Sequence, residues 1–479
     1  MRRDTLLAAV GSLTLAVLLS APVQARQQRD AGSQLGAPNK GQAKNHGLGA
    51  NSKHEETRTF ETTVLESPCP RPGAEFGFAL TPLDFDGDEK IDFAVGAPGE
   101  GAVYILLGSG PIPYTRFAVF DASGRVDCDR EASDDLLGTS LAAADLDGDG
   151  DDELVVGAPG ASTPEPDTHR TGAIYIFGLT ANGPPMLIQP RSDVEERFGQ
   201  AVAFADFDLD GNQDLAVGAA RSEQGIVSCG RVLVFHDVLD EERMPVELPN
   251  PNPTDAGNFG ANLAVDDFDG DGFPDLFVSG IGNDSSDGDQ HGGQVYCFAG
   301  DPRPDRWILV EDLVDTQDDP PRFGMHIAAR GGHVLVGAPR KDTRLITDSG
   351  LGHSYSGEGL RTWRIYAHPN PKQTDLFGYR AMIGNFVGDE HLDFAFSCLP
   401  HQFNTNPNPL ALYIYDGAHK QKPPLELLAR SDSGDHFTMG VAAIDINGDG
   451  LDDLVLGDAR YDRPEGSQTE NVGRVVIYH

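Results

Sequence analysis

Acidic side chains recur in one spacing, Asp-x-Asp-x-Asp-x-x-x-Asp, at Asp84, Asp145, Asp206 and Asp267, 61 residues apart. A close copy starts at Asp445 and a weaker one at Asn385. Carboxylates packed this densely repel one another, and a hard cation with oxygen ligands removes the repulsion. Calcium takes about 6–8 oxygens at roughly 2.3–2.6 Å and tolerates irregular geometry. The expected chemistry is therefore calcium coordination, with side-chain oxygens from positions 1, 3, 5 and 9 and a backbone carbonyl from position 7. The first loop offers Asp84, Asp86, Asp88 and Asp92 with the carbonyl of Lys90, and the second Asp145, Asp147, Asp149 and Glu153 with Asp151. The third offers Asp206, Asp208, Asp210 and Asp214 with Asn212, and the fourth Asp267, Asp269, Asp271 and Asp275 with Phe273. The last offers Asp445, Asn447, Asp449 and Asp453 with Leu451.

Gly87, Gly148, Gly270 and Gly448 suit the tight turn that brings the ligands round. Leu209 holds that place in the third loop, which argues against a strict need for positive φ there. Asn385, Asp389 and Asp393 frame a weaker sixth site, because Val387 stands at position 3. An Arg330-Gly331-Gly332 turn falls where another loop is due, so that unit should bind no ion. One such loop alone would read as a solvated acidic turn; five in the same phase argue for ions. EF-hands are excluded, since no helix flanks the loops and no Glu stands at position 12.

The loops must be held by a repeated unit, and the residues around them describe it. In the third unit Phe198-Gly199 leads into Ala201-Val202-Ala203-Phe204, then the acidic loop, then Leu215-Ala216-Val217-Gly218-Ala219, Arg231-Val232-Leu233-Val234-Phe235 and Val246-Glu247-Leu248. These are four short strands bounded by Gly, Pro, Asp and Asn. Seven such units fill the chain, and about 4–8 four-stranded sheets close radially into a β-propeller. First strands such as Leu141-Ala142-Ala143-Ala144 are small, as crowding at a propeller axis requires. The last unit ends at its third strand, Val475-Val476-Ile477-Tyr478, whereas Phe60-Glu61-Thr62-Thr63-Val64-Leu65 precedes the first unit where a fourth strand belongs. The expected fold is all-β: a seven-bladed propeller of antiparallel four-stranded blades, closed by an N-terminal strand that completes the last blade.

Phe76-Gly77 with Gly96-Ala97-Pro98, and Phe323-Gly324 with Gly337-Ala338-Pro339, resemble the FG-GAP repeat that builds the seven-bladed propeller of integrin alpha subunits. The resemblance spans 58–479 and implies that fold, calcium between the first two strands of a blade, and a role in binding or adhesion. Leu137-Gly138 and Met439-Gly440 depart from Phe-Gly, and Gly218-Ala219-Ala220, Ser279-Gly280 and Cys398-Leu399-Pro400 depart from Gly-Ala-Pro. They keep size and turn character. The leg domains and membrane helix of an integrin are not seen, so the likeness is to its head module.

Residues 1–25 read as a secretory signal peptide: Met1-Arg2-Arg3, an apolar stretch over 6–19 and Val23-Gln24-Ala25 before the cut. Residues 26–57 read as a disordered spacer and 58–479 as the propeller. With this signal and no later segment apolar enough to span a bilayer, a secreted or periplasmic location is expected, and the chain is expected to be monomeric. The net charge of −39 disfavours nucleic acid and anionic membranes, which need basic patches. Cys69 and Cys128 follow outermost strands in equivalent loops of neighbouring blades and are one possible disulfide pair. Cys229 is expected in a surface loop and Cys297 within the sheet.

Catalytic motifs are thin. Gly352-His353-Ser354-Tyr355-Ser356 lacks the final Gly and the strand-to-helix context of a nucleophile elbow, and reads as strand or turn. His326, His333, His353 and His368 read as scattered surface or sheet histidines. Two function classes stand. One is a secreted calcium-stabilised interaction module for a protein or glycan; the other is a hydrolase or lyase acting on carbohydrate or phospholipid. Binding is favoured, on the face opposite the calcium loops, where segments 121–136, 160–171, 281–293, 340–350 and 460–471 are longest.

Overall fold

The computed structural model describes residues 60–108, 114, 116–129, 131–163, 169–179, 184–190, 194–222, 229–240, 242–253, 257–282, 292–303, 307–314, 322–343, 346–356, 362–388, 391–398, 411–419, 422–428, 437–462 and 471–479. The readings of 1–25 and 26–57, and Asp389, lie outside these residues, as do parts of the long segments at 164–168, 283–291, 344–345 and 463–470.

Seven antiparallel sheets stand in a ring, each meeting the next through its first strand. Blade three runs Phe198–Ala205, Asp214–Ala219, Arg231–Phe235 and Val246–Leu248, the order read from sequence. Blade one departs from four strands: after Arg116–Asp121 a fifth, Gly124–Val126, adds to its outer edge. In blade five Ile327–Arg330 returns directly as His333–Ala338, so Gly331 and Gly332 make the two-residue hairpin expected there. The 352–356 motif lies in the strand Leu351–Ser356, which excludes a strand-to-helix elbow. Among the described residues no helix is long and apolar enough to cross a membrane.

Ring closure follows the expected route. Thr62–Glu66 pairs antiparallel with Arg474–Tyr478, from Thr62 opposite Tyr478 to Glu66 opposite Arg474. The last blade thus orders the N-terminal strand, then Arg474–Tyr478, Asp453–Asp458 and Phe437–Ile444. Leu65, Val455, Val475 and Ile477 of this blade pack in one cluster with Phe93, Val95, Tyr104 and Leu106 of blade one. Each buried side chain of this size stabilises by about 1.5–3 kcal/mol.

The repeat motif has a packing cause at these seams. Phe76 is fully buried, with its ring 5.2 Å edge-on from Tyr104. Gly77 has φ +94°, and a side chain on it would meet the backbone of Arg474 and Gly457. The Phe fills the seam between blades, and the Gly lets two backbones touch.

Cys69 and Cys128 form a disulfide with Cα atoms 5.4 Å apart. Cys297 is buried in its strand as expected. Cys229 is buried rather than in a surface loop: its thiol lies against the carbonyls of Ser222 and Gly230, at the seam where Gly230 bridges Phe259. A small apolar side chain fits that crowded junction.

Candidate metal centres

Each acidic loop joins the first strand of a blade to the second, and its own backbone arranges the carboxylates. In the fourth loop Gly270 and Gly272 donate their N–H to the two oxygens of Asp267 at 2.9 and 3.1 Å, and Asp271 donates to Asp269 at 3.1 Å. Phe273 then donates to Asp271 at 2.9 Å, and Phe268 to Asp275 at 3.0 Å. The second, third and last loops repeat the scheme through Asp145, Asp206 and Asp445. The final acid is always buried at the start of the second strand, as Asp92, Glu153, Asp214, Asp275 and Asp453. The side chains at positions 1, 3 and 5 stand at the rim, except that Asp208 of the third loop is buried.

The structure draws Asp145, Asp147 and Glu153 together, with ligand atoms within 4.8 Å of one another. It does the same for Asp206, Asp208 and Asp210, and for Asp267, Asp269 and Asp271. No acidic triad is this close around Asp84 to Asp92 or Asp445 to Asp453 among the described residues. Asn447 stands at position 3 of the last loop, where the other loops have an Asp, and the Lys90 ammonium pairs with Asp88 in the first.

The electrostatics favour a cation. In the first loop Asp92 is fully buried, and one oxygen, Oδ2, has no hydrogen-bond partner. Burial, reinforced by Asp86, Asp88 and Asp84, pushes Asp92 up to about 10. Burial likewise lifts Glu153 and Asp275 to about 7, with neighbouring carboxylates adding to the rise. A divalent ion would relieve this repulsion, and the oxygen-only donor sets of the second and fourth loops suit a hard one.

Several features escaped the sequence reading. Leu209 does adopt positive φ, at 54°, so the turn requires it even where leucine must supply it. Position 6 needs it too: Gly150, Gly211, Gly272 and Gly450 have positive φ, and so does Glu89 at 60°. Position 8 ties blades together, as Asp152 accepts the Asp84 N–H and Asp452 accepts the Asn385 N–H at 2.7 Å. The third loop has company: His236 Nδ1 lies 2.9 Å from Asp214, and Arg243 lies 3.5 Å from Asp208 and 3.6 Å from Asp210. The recurrent glycine at position 6 and the doubled Asp-Asp of 151–152 and 452–453 were the sequence signals for these.

The two irregular units behave as their residues require. In blade six both oxygens of Asp393 are taken by backbone, from Phe386 and Val387 on one side and Gly417 on the other. In blade five Gly331 and Gly332 donate to Asp266 of the preceding blade at 3.2 and 2.6 Å. A carboxylate from next door thus satisfies the turn that replaces the loop. Among the described residues the histidines of this unit enter no metal-type cluster.

Comparison with known proteins agrees with this architecture. The FG-GAP repeat model matches residues 137–177, 198–228 and 437–478, and an FG-GAP-like repeat model matches 84–156. Human integrin alpha-IIb is 33% identical over 222 residues, covering 43% of this chain and 20% of the integrin. Integrin alpha-PS2 of Drosophila melanogaster is 30% identical over 281 residues, 53% of this chain and 18% of that protein. Phosphatidylinositol-glycan-specific phospholipase D of Rattus norvegicus is 28% identical over 402 residues, 72% of this chain and 46% of the phospholipase. The chain spans less than half the length of each. With seven blades in a ring and the motif at their seams, it is an integrin-alpha-like FG-GAP repeat protein.

Proposed function

We propose that this chain is a secreted calcium-binding β-propeller that acts as an extracellular interaction or adhesion module for a protein or glycan. The observation that carries the reading is the set of five acidic loops between first and second strands, all on one face. Asp84, Asp86, Asp88 and Asp92 would hold the first ion, and the corresponding residues of the other four loops theirs. Bound calcium would supply charge neutralisation and rigidity, leaving the opposite face for recognition. Residues 1–25 as an export signal and 26–57 as a spacer complete this reading. The similarity to integrin alpha subunits supports adhesion.

A hydrolase or lyase acting on carbohydrate or phospholipid is the second reading, favoured by the long match to the phospholipase. The test is to screen the calcium-loaded protein against extracellular glycans and proteins, assaying polysaccharide and phospholipid hydrolysis alongside. Replacing 281–293 and 340–350 with short Gly-Ser turns should then weaken ligand binding without changing calcium content. Unaltered affinity in both variants would place the site elsewhere, and turnover of a substrate would establish the second reading.

A further inference from the structure

The face opposite the acidic loops carries the mouth of an axial cavity of about 420 Å³ to which all seven blades contribute. A continuation of about 340 Å³ runs between the first strands and shares Leu80, His326 and Val441 with it. Among the described residues no Asp or Glu lines either space. Their charged side chains are Arg197, Arg221 and Arg380 at the mouth and Arg330 at the far end. In a chain with 75 acidic and 36 basic residues, an axis whose described charged side chains are all arginine runs against composition.

Counting the partners of these arginines locates the unmet charge. Arg330 is neutralised by Asp452 at 2.7 Å. Arg197 and Arg221 share one carboxylate, Glu195, at 3.6 and 3.0 Å. Arg380 pairs with no carboxylate among the described residues. Its Nε donates to the Met439 carbonyl at 2.8 Å and Nη1 to the Tyr379 carbonyl at 3.2 Å, with the Tyr379 ring centroid 4.7 Å away. These contacts fix the guanidinium without neutralising it. Beside it, His326 Nδ1 accepts the Ala381 N–H at 3.3 Å. Burial and then the charge of Arg380 push His326 down to about 3, so the ring is neutral and its hydrogen sits on Nε2.

We propose that this mouth binds a carboxylate, with Arg380 as its principal partner and Arg197, Arg221 and His326 as further donors. The inference names a ligand chemistry for the face assigned to recognition above and rests on that reading. A guanidinium presents paired donors that match a planar carboxylate. The space suits one side chain or a small acid. The overall charge of −39 repels polyanions, so the carboxylate must belong to an otherwise nearly neutral ligand. Its source is either a free small acid or an acidic side chain on a partner protein.

The test uses ligand-observed NMR on the calcium-loaded full chain. The probes are glutarate and the blocked peptide Gly-Gly-Glu-Gly-Gly, each beside its neutral twin, glutaramide and the Gln peptide. The acids should bind and the twins should not, with affinity falling about tenfold or more in Arg380→Gln. Arg197→Gln/Arg221→Gln alters exposed side chains and should also weaken binding, which keeps the test valid if Arg380→Gln does not fold. Glutarate binding alone assigns a free acid, and peptide binding assigns a partner side chain. Absence of acid binding, equal binding of acids and twins, or affinity that survives the variants overturns the proposal. The loop replacements above test the recognition face separately, so the two failures are distinguishable.

Discussion

Gly457 of the last blade and Gly77 of the first lie backbone against backbone: a Cβ on Gly77 would stand 3.1 Å from the Cα of Gly457 and 2.7 Å from the Arg474 carbonyl oxygen. Gly96 meets Gly138, Gly157 meets Gly199, Gly218 meets Gly260 and Gly337 meets Gly378 in the same way. The seam that joins the chain's ends is built like those within it. Gly457→Ala would drive a methyl group onto the Gly77 carbonyl. The expected loss is about 2–4 kcal/mol, read as a lowered midpoint in urea unfolding with calcium content unchanged.

The closing strand carries its own prediction. Deleting 58–66 should uncover the edge of Arg474–Tyr478 and cause aggregation, whereas deleting 26–50 should leave the melting curve nearly unchanged. Light scattering and calorimetry on the two truncations check this, and equal curves would count against the shared blade.

Calcium should stabilise the fold, and the effect should grow with pH. An ion that binds only the native state adds about 2.7 kcal/mol per site at 100 times its Kd. In metal-free protein, burial raises Glu153 and Asp275 to about 7 and Asp92 to about 10, well above the ordinary carboxylate value near 4. A raised carboxylate contributes stability fully below its unfolded pKa and loses it as pH climbs through the folded one. Stripped protein should therefore lose stability from about pH 4 through 7 and on towards 10, while calcium, which needs the ionised form, binds better over that range. Melting temperatures with and without calcium should diverge between pH 5 and 8. Asp208→Ala/Asp210→Ala should remove one ion by elemental analysis.

The third loop should bind calcium less tightly than its closely drawn carboxylates alone would allow, because Arg243 already faces Asp208 and Asp210. Arg243→Ala removes a competing charge that is partly exposed, so a gain of about three- to tenfold in affinity is expected at that site. Calorimetric titration should show one step strengthening while the others hold. A weakened step would mean that Arg243 organises the loop instead.

The periodic features were legible in the sequence because repetition multiplies weak local signals. The acidic spacing, the Phe-Gly and Gly-Ala-Pro motifs and the strand-like run over 60–65 ahead of the first unit gave the ring and its closure. What was hidden depends on contacts between blades. Asp266 reads as one more acid before a loop, yet it caps a turn in the next blade. Arg380 sits in an unremarkable Tyr-Arg-Ala stretch, and only the ring brings it to an axis where no carboxylate stands among the described lining residues. Leu209 misled because a side chain with Cβ can take left-handed φ at a modest cost when its neighbours dictate the turn.

The Cys69–Cys128 disulfide lies three residues beyond the closing strand Thr62–Glu66, and it bonds that segment to the outer side of blade one. Should the strand peel away, a leash of about 10 Å would keep it beside its slot. The backbone through 67–79 already makes recapture intramolecular, and the shorter leash raises the effective concentration further above that of a second molecule in dilute solution. The crosslink therefore acts against exchange of closing strands between copies, a hazard for any ring whose last blade takes a strand from ahead of its first.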